Sequence, residues 1–241
     1  MSVVPSIQPE PGEIHLWLID LDDGAGCTET FRAYLSDDER ERADRLRIRK
    51  MQDHFIVARG FLRKILGESL SISPEHLNFG YGPHGKPELL NTGLPDINFN
   101  LSHSSSLALL AINRTFPIGV DIETARPGRP FMRLAERFFS EREIRELHSL
   151  DEALVLEGFY SCWTRKEAYL KAIGTGLATP LNAFDVSLKP GDQPALIGQR
   201  LDPAETGRWQ ILEVQVPEGY RAAVATRWLS PRLIIRHWQP A

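Results

Sequence analysis

Ile118-Gly119-Val120-Asp121-Ile122-Glu123, directly after Pro117, is the stretch that divides this 241-residue chain. Branched residues dominate it, as in a short strand, and the proline before it breaks whatever precedes. Content on the two sides is similar. Upstream, Glu13–Leu21 (EIHLWLIDL) reads as a first strand. Ser36 to about Gly67 reads as helix, with Ser36 as cap and Asp37, Asp38 and Glu39 in the first turn. Ser71–Leu77 reads as a short helix or turn and Tyr81–Lys86 as a Gly/Pro loop. Asn98–Ile112 reads as two strands or one strand with a turn.

Downstream, Arg126–Pro130 breaks the chain and Ser140 to Glu143 fits a capping box. Leu154–Ile173 is the strongest helix, closed by Gly174 and Gly176. Phe184–Leu188, Trp209–Val216, Arg221–Ala225 and Leu233–Trp238 read as strands separated by turns. The expectation is an α+β chain of two subdomains, 1–115 and 116–241, each a small, mostly antiparallel sheet packed with helices. No repeat is visible residue by residue.

Composition limits what such a chain can be. It is 42% hydrophobic and 25% charged, which excludes a disordered or fibrous protein. The formal net charge of −4 gives no global field for nucleic acid or an anionic membrane, so 28 Lys and Arg must act locally if they act on ligands. Only Cys27 and Cys162 are present, with no zinc-like spacing, which suits a reducing cytoplasm. The longest apolar run, Leu107–Ile112, is too short to span a bilayer. Met1–Glu13 has no signal-peptide pattern. These features predict a cytoplasmic protein.

Chemistry concentrates in three places. Asp121 and Glu123 lie two apart on a strand, so both carboxylates share a face, roughly 7 Å apart at the backbone. Such a pair suits Mg²⁺ or Mn²⁺, or equally a surface strand whose acids meet water or an arginine. Trp163, Glu167 and Lys171 form one helical stripe flanked by Lys166, either a solvated Glu–Lys pair or a working acid and base beside a buried tryptophan. Asn100-Leu101-Ser102-His103, followed by three serines, and the turn Gly85-Lys86-Pro87 offer hydroxyls, an imidazole and an ammonium to an anionic ligand. Ser102 and His103 point to opposite faces, so a serine hydrolase is not implied. Arg45–Lys50 holds no acid and is a candidate for a polyanion or an acidic partner, or a solvated helix face.

In order, Gly85-Lys86-Pro87, Phe99 to His103, Gly119 to Glu123, Arg137 to Ser140 with Glu143, and Trp163 to Lys171 resemble the motifs of the Sfp-type 4′-phosphopantetheinyl transferases. Gly174 to Leu177 also fits. The resemblance covers about Arg40 to Leu188 and is weakest at its N-terminal motif. It implies a pseudo-twofold pair of α/β subdomains with the active site at their interface. The implied activity is Mg²⁺-dependent transfer of the phosphopantetheine arm of coenzyme A to a serine of an apo carrier protein, with release of 3′,5′-ADP. By the same resemblance Asp121, Glu123 and Glu167 correspond to metal ligands. Glu167 is the base for the carrier serine, and Lys171 sits on the pyrophosphate. Lys86 and His103, with Ser102 beside them, correspond to contacts with the coenzyme's 3′-phosphate end. Lys166 joins the basic ligand set, as does Lys50 and, more weakly, Arg59. The partners implied are coenzyme A and an acyl or peptidyl carrier, with no nucleic acid and no membrane, and the chain is expected to act as a monomer. A Mg²⁺-dependent phosphohydrolase would use the same acids but leaves the serine-histidine strand and the Gly-Lys-Pro turn unexplained. A non-catalytic coenzyme A or carrier-binding module would not require the full acidic triad.

Overall fold

The computed structural model describes residues 8–93, 96–238 and 240; the reading of the first seven residues lies outside them. In chain order the strands and helices are β1 (Glu13–Asp20), α1 (Thr28–Tyr34), α2 (Asp37–Asp44), α3 (Arg49–Leu70), β2 (Phe79–Tyr81), β3 (Pro87–Leu89), β4 (Ile97–Ser104), β5 (Leu107–Arg114), β6 (Ile118–Thr124), α4 (Phe131–Phe138), α5 (Glu141–His148), α6 (Glu152–Ile173), β7 (Phe184–Val186), β8 (Leu196–Gln199), β9 (Gln210–Glu213), β10 (Tyr220–Thr226) and β11 (Arg232–Trp238).

Two sheets form the centre. One has the order β11-β1-β5-β4 and the other β6-β10-β9. β5 is the run LALLAI, and its alternate residues feed two different cores. Ala108, Leu110 and Ile112 pack towards α3, whereas Leu107, Leu109 and Ala111 pack against Ile118, Val120 and Ile122 of β6. A strand buried on both faces has no polar face, which is why this stretch reads as unbroken apolar sequence. A third core joins α4, α5 and α6 to Ala223 and Ala225 of β10. The layers therefore run helix, sheet, sheet, helix. α3 and α6, each of 22 residues, cover the outer faces. Each helix ends on a left-handed residue, Ser71 and Gly174 respectively, and this matched pair of helix-on-sheet units is the expected pseudo-twofold α+β arrangement.

Three features differ from the sequence reading. The helix expected from Ser36 to Gly67 is two helices, because Ile48 takes an extended conformation ahead of α3. The break lets α2 fold back so that Glu39, its capping-box acid, turns inward onto Arg59 and Arg63. Arg59 is thus a buried structural cation, also stacked 4.4 Å over the Phe79 ring. Helices α1 and α4, the hairpin of β2 and β3 and the short strand β8 were not anticipated. Finally, β11 crosses back and pairs in parallel with β1, Glu13 opposite Arg232. Residue parity identifies a strand but not its neighbour, so this crossover was invisible in the sequence.

Candidate active site

The two sheets pack face to face, and their outer strands come together along one side. β4 is the outer strand of one and β6 of the other. The two strands lie side by side, with no backbone ladder between them among the described residues. Side chains from alternate positions of β4 supply the missing bonds. Asn100 Oδ1 accepts from the Val120 N–H at 2.8 Å. Ser102 Oγ donates to Asp121 Oδ1 at 2.9 Å and Ser104 Oγ to Glu123 Oε2 at 2.8 Å. The shared face expected for Asp121 and Glu123 is therefore the face they turn to β4. Ser102 and His103 do point apart, as alternation requires.

α6 brings the third acid. It crosses β6 at Gly119, where an added Cβ would lie 2.2 Å from the Ala168 carbonyl oxygen and 2.3 Å from the Ala172 nitrogen. Only glycine permits this approach, and it sets Glu167 and Lys171 over the acid pair. Lys171 Nζ donates to Asp121 Oδ1 at 2.7 Å and to Ser102 Oγ at 2.9 Å. Trp163, earlier on the same stripe, is half-buried against Phe138, Phe139 and Phe159. The aromatic motif before α5 thus anchors α6 beneath the site.

All three carboxyls are held above their ordinary pKa, chiefly by burial. For Asp121, Lys171 and Ser102 oppose that rise. For Glu123, the Ser104 hydroxyl opposes it and the Asp121 charge adds to it. For Glu167, Asp121 is the next largest cause, and Glu123 adds to the rise against Lys171. Asp121 Oδ2 is fully buried with no hydrogen-bond partner. Buried, like-charged oxygen donors with one orphaned lone-pair site fit a hard divalent cation. Among the described residues no three such side chains already surround one point, so the fit is in donor chemistry and charge.

A groove leads outward from Lys171, the partner of Asp121. Its inner part, about 220 Å³, is lined by Lys86, Asn100, Lys171, Gly174 and Gly176 among others. The outer part, about 430 Å³, is lined by Arg42, Arg45, Tyr81 and His103, with Asp38 and the Glu39–Arg59 pair also in its wall. The two share Gly85, Pro87 and Leu101 as walls, so they adjoin. Burial lowers the His103 pKa, and Lys171, His54 and Arg42 lower it further. Lys86 Nζ rests on the carbonyls of Ile118 and Ala172 at 3.0 and 3.2 Å, and burial holds it at about 8. A larger cavity of about 670 Å³ opens on the far side of Lys86. Its lining includes neither Lys171, which is bonded to Asp121, nor His103, so the chemistry belongs to the smaller groove.

Three expected ligand contacts sit elsewhere. Ser102 is buried in the β4–β6 seam, its hydroxyl held by Asp121 and Lys171, and it is not part of the groove lining. Lys166 has no exposed surface. Its Nζ donates to the carbonyls of Leu181 and Phe184 at 2.7 and 2.6 Å and pairs with Glu143 at 2.8 Å. All three donors are spent inside the core, so Lys166 cannot reach a coenzyme; it ties α6 to α5 and to the segment entering β7. Lys50 is exposed and paired with Asp22 at 2.9 Å, outside the groove lining. In its place the structure brings Arg42 and Arg45 to the groove, neither with an ion-pair partner among the described residues. The sequence signal for Arg45 was the acid-free run; nothing distinguished Arg42 from its neighbours.

Comparison with known proteins agrees with this geometry. A model of the 4′-phosphopantetheinyl transferase superfamily matches residues 117–225, and one described as 4′-phosphopantetheinyl transferase, N-terminal, matches residues 28–115. The 4′-phosphopantetheinyl transferase HetI of Nostoc sp. is 38% identical over 240 residues, 98% of this chain and 94% of the relative. The 4′-phosphopantetheinyl transferase Sfp of Bacillus subtilis is 30% identical over 196 residues, 81% of this chain and 84% of its own length. The human L-aminoadipate-semialdehyde dehydrogenase-phosphopantetheinyl transferase is 32% identical over 206 residues, 79% of this chain and 66% of the relative. With matches to both halves and nearly full-length coverage at this identity, the chain belongs to the Sfp-type 4′-phosphopantetheinyl transferase family.

Proposed function

We propose that this transferase works at the β4–β6 seam, moving the 4′-phosphopantetheine arm of coenzyme A onto a serine hydroxyl of an apo acyl or peptidyl carrier. The observation that carries the site assignment is the orphaned, buried Asp121 Oδ2 beside two further carboxyls raised by burial. Asp121, Glu123 and Glu167 would hold Mg²⁺, with Mn²⁺ as a substitute. The cation supplies charge neutralisation on the pyrophosphate. Glu167 takes the proton of the carrier serine, directly or through one water. The serine oxygen then bonds to the phosphorus that bears pantetheine, and the bond from that phosphorus to the oxygen of the second phosphate breaks. The departing 3′,5′-ADP carries the electron pair, and Lys171, at the mouth of the inner groove, stabilises that charge.

The groove orients the coenzyme. His103, Arg42 and Arg45 in the outer part and Lys86 in the inner part face its 3′-phosphoadenosine end, as charge-assisted donors to phosphate. The division into halves 1–115 and 116–241 belongs to the same proposal, with β11 returned to the first half's sheet. Both walls of the seam come from one chain, which supports a monomer. Cys27 and Cys162 are both free thiols, which supports a cytoplasmic setting. Among the described residues no helix is long and apolar enough to cross a membrane. The family match favours transfer over metal-dependent hydrolysis.

Incubation with coenzyme A, Mg²⁺ and apo carriers from fatty acid, polyketide and nonribosomal peptide pathways tests the proposal. At least one carrier gains about 340 Da, the mass of the covalently attached arm, and chelation of the metal stops the gain. Transfer that survives chelation would remove the metal from the scheme. Lys86→Ala raises KM for coenzyme A about tenfold, the worth of one charge-assisted hydrogen bond, and leaves kcat within a few-fold. A fall in kcat at unchanged KM would instead place Lys86 at the reacting atoms.

A further inference from the structure

The metal-bearing strand is oriented by the strand beside it, and one contact in that seam has no role in the scheme so far. Ser104 closes β4, two positions after Ser102 on the same face. Its hydroxyl oxygen accepts from the Thr124 backbone N–H at 3.1 Å and lies 3.3 Å from the Thr124 hydroxyl. With its lone pair fixed by a backbone donor, the hydroxyl proton is aimed at Glu123 Oε2, 2.8 Å away. Ser102 repeats the pattern one step down the strand, accepting from Lys171 and donating to Asp121 Oδ1. Each serine therefore occupies one oxygen of one acid and leaves the other oxygen to face elsewhere. Asp121 Oδ2 is the visible result, buried and unpartnered.

The turn that follows is built to hold this position. Ser105 takes a left-handed conformation with φ of 55°, a strained choice for a residue with a side chain. Ser106 then turns its hydroxyl to the Tyr220 hydroxyl at 3.5 Å on the neighbouring strand β10, away from Glu123. Three consecutive serines thus do three different things, and only Ser104 reaches a carboxylate proposed to hold metal.

We propose that Ser104 is a positioning residue that presents the free oxygen of Glu123 to the divalent cation, an inference that rests on the metal site proposed above. Partners in a second layer of this kind fix the orientation of a ligating carboxylate, and their loss typically costs 10- to 100-fold in metal affinity. Because Ser104 touches neither the groove nor the coenzyme contacts, its effect belongs to the cation alone.

Mn²⁺ binding to the full chain, followed by electron paramagnetic resonance with saturating coenzyme A present, provides the test. In Ser104→Ala the Mn²⁺ dissociation constant rises about tenfold. Ser104→Thr, which keeps the hydroxyl, restores it to within about twofold, and Ser106→Ala leaves it unchanged. Coenzyme A affinity measured without metal stays within about twofold in all three. Equal Mn²⁺ affinity in wild type and Ser104→Ala overturns the inference while leaving the metal site standing. A wild type that binds no Mn²⁺ overturns the metal site and this inference together. A parallel tenfold loss in Ser106→Ala would mean that the turn as a whole, not the Ser104 hydroxyl, sets the acid, and would likewise overturn it.

Discussion

Glu167→Gln lowers kcat by at least about 10³-fold while the protein melts no lower than wild type. The kinetic loss follows from two functions on one carboxylate. Removing a general base costs about 10²–10⁴-fold by itself. The same substitution withdraws a charged oxygen donor from the cation site, which glutamine replaces only with a weaker neutral carbonyl. The stability expectation follows from electrostatics. Glu167 is pushed above its ordinary pKa by burial and by the fields of Asp121 and Glu123. A carboxyl whose pKa is raised on folding costs stability at neutral pH, because the folded state disfavours the charged form that the unfolded state prefers. An isosteric amide removes that cost. Single-turnover kinetics with a competent carrier, together with calorimetry, checks both halves. A kcat within tenfold of wild type removes Glu167 from the chemistry, and a melting temperature well below wild type would mean its role is structural. Loss of activity with gain of stability is the signature of a site held in a strained arrangement for function.

How far the sequence disclosed this site depends on whether a contact is local. Asp121 and Glu123 were legible because two residues on a strand must share a face, whatever surrounds them. Glu167 and Lys171 were legible because four residues on a helix make one stripe. Lys166 was misjudged for the same reason that Lys171 was not. Helical spacing shows which residues lie together, and only the partners decide whether that side meets ligand or core. The partner of Lys166 is Glu143, on a different helix, whose second oxygen caps α5 through the Ser140 N–H. A pair so distant in sequence leaves no periodic trace. Arg42 and Arg45 reached the groove because the chain breaks at Ile48, a boundary with no proline or glycine to announce it. The β4–β6 seam was half legible. The parity of Ser102 and Ser104 matches that of the acid pair, but nothing in either strand says that the two lie side by side.

Gly119→Ala tests whether the close crossing of β6 and α6 sets the geometry of that seam. The added methyl would stand 2.2 Å from the Ala168 carbonyl oxygen, 2.3 Å from the Ala172 nitrogen and 2.8 Å from the Lys171 carbonyl carbon. Every one of these is backbone, so no side chain can rotate out of the way and the helix itself must retreat. An ordinary contact distance of about 3.4 Å or more implies a shift of about 1 Å where Lys171 and Glu167 are attached. A misplacement of that size costs about 10²-fold in rate when reacting groups must be held in line. Overpacking of a well-packed core adds about 1–3 kcal/mol of destabilisation, more where backbone resists backbone. The expected result is a folded protein with a lowered melting temperature and kcat/KM down about 10²-fold, driven by kcat, since the outer groove around His103 is not attached to α6. Gly207→Ala is the control, because a methyl there meets no atom within 4 Å; both its stability and its turnover stay at wild-type levels. If Gly119→Ala matched this control in rate, α6 could yield without disturbing Glu167 and Lys171, and the acids would owe their arrangement to β4 alone. If it lost stability but kept its rate, the crossing would serve the fold only. The combined loss is what a glycine placed to bring a catalytic helix against a metal-bearing strand requires.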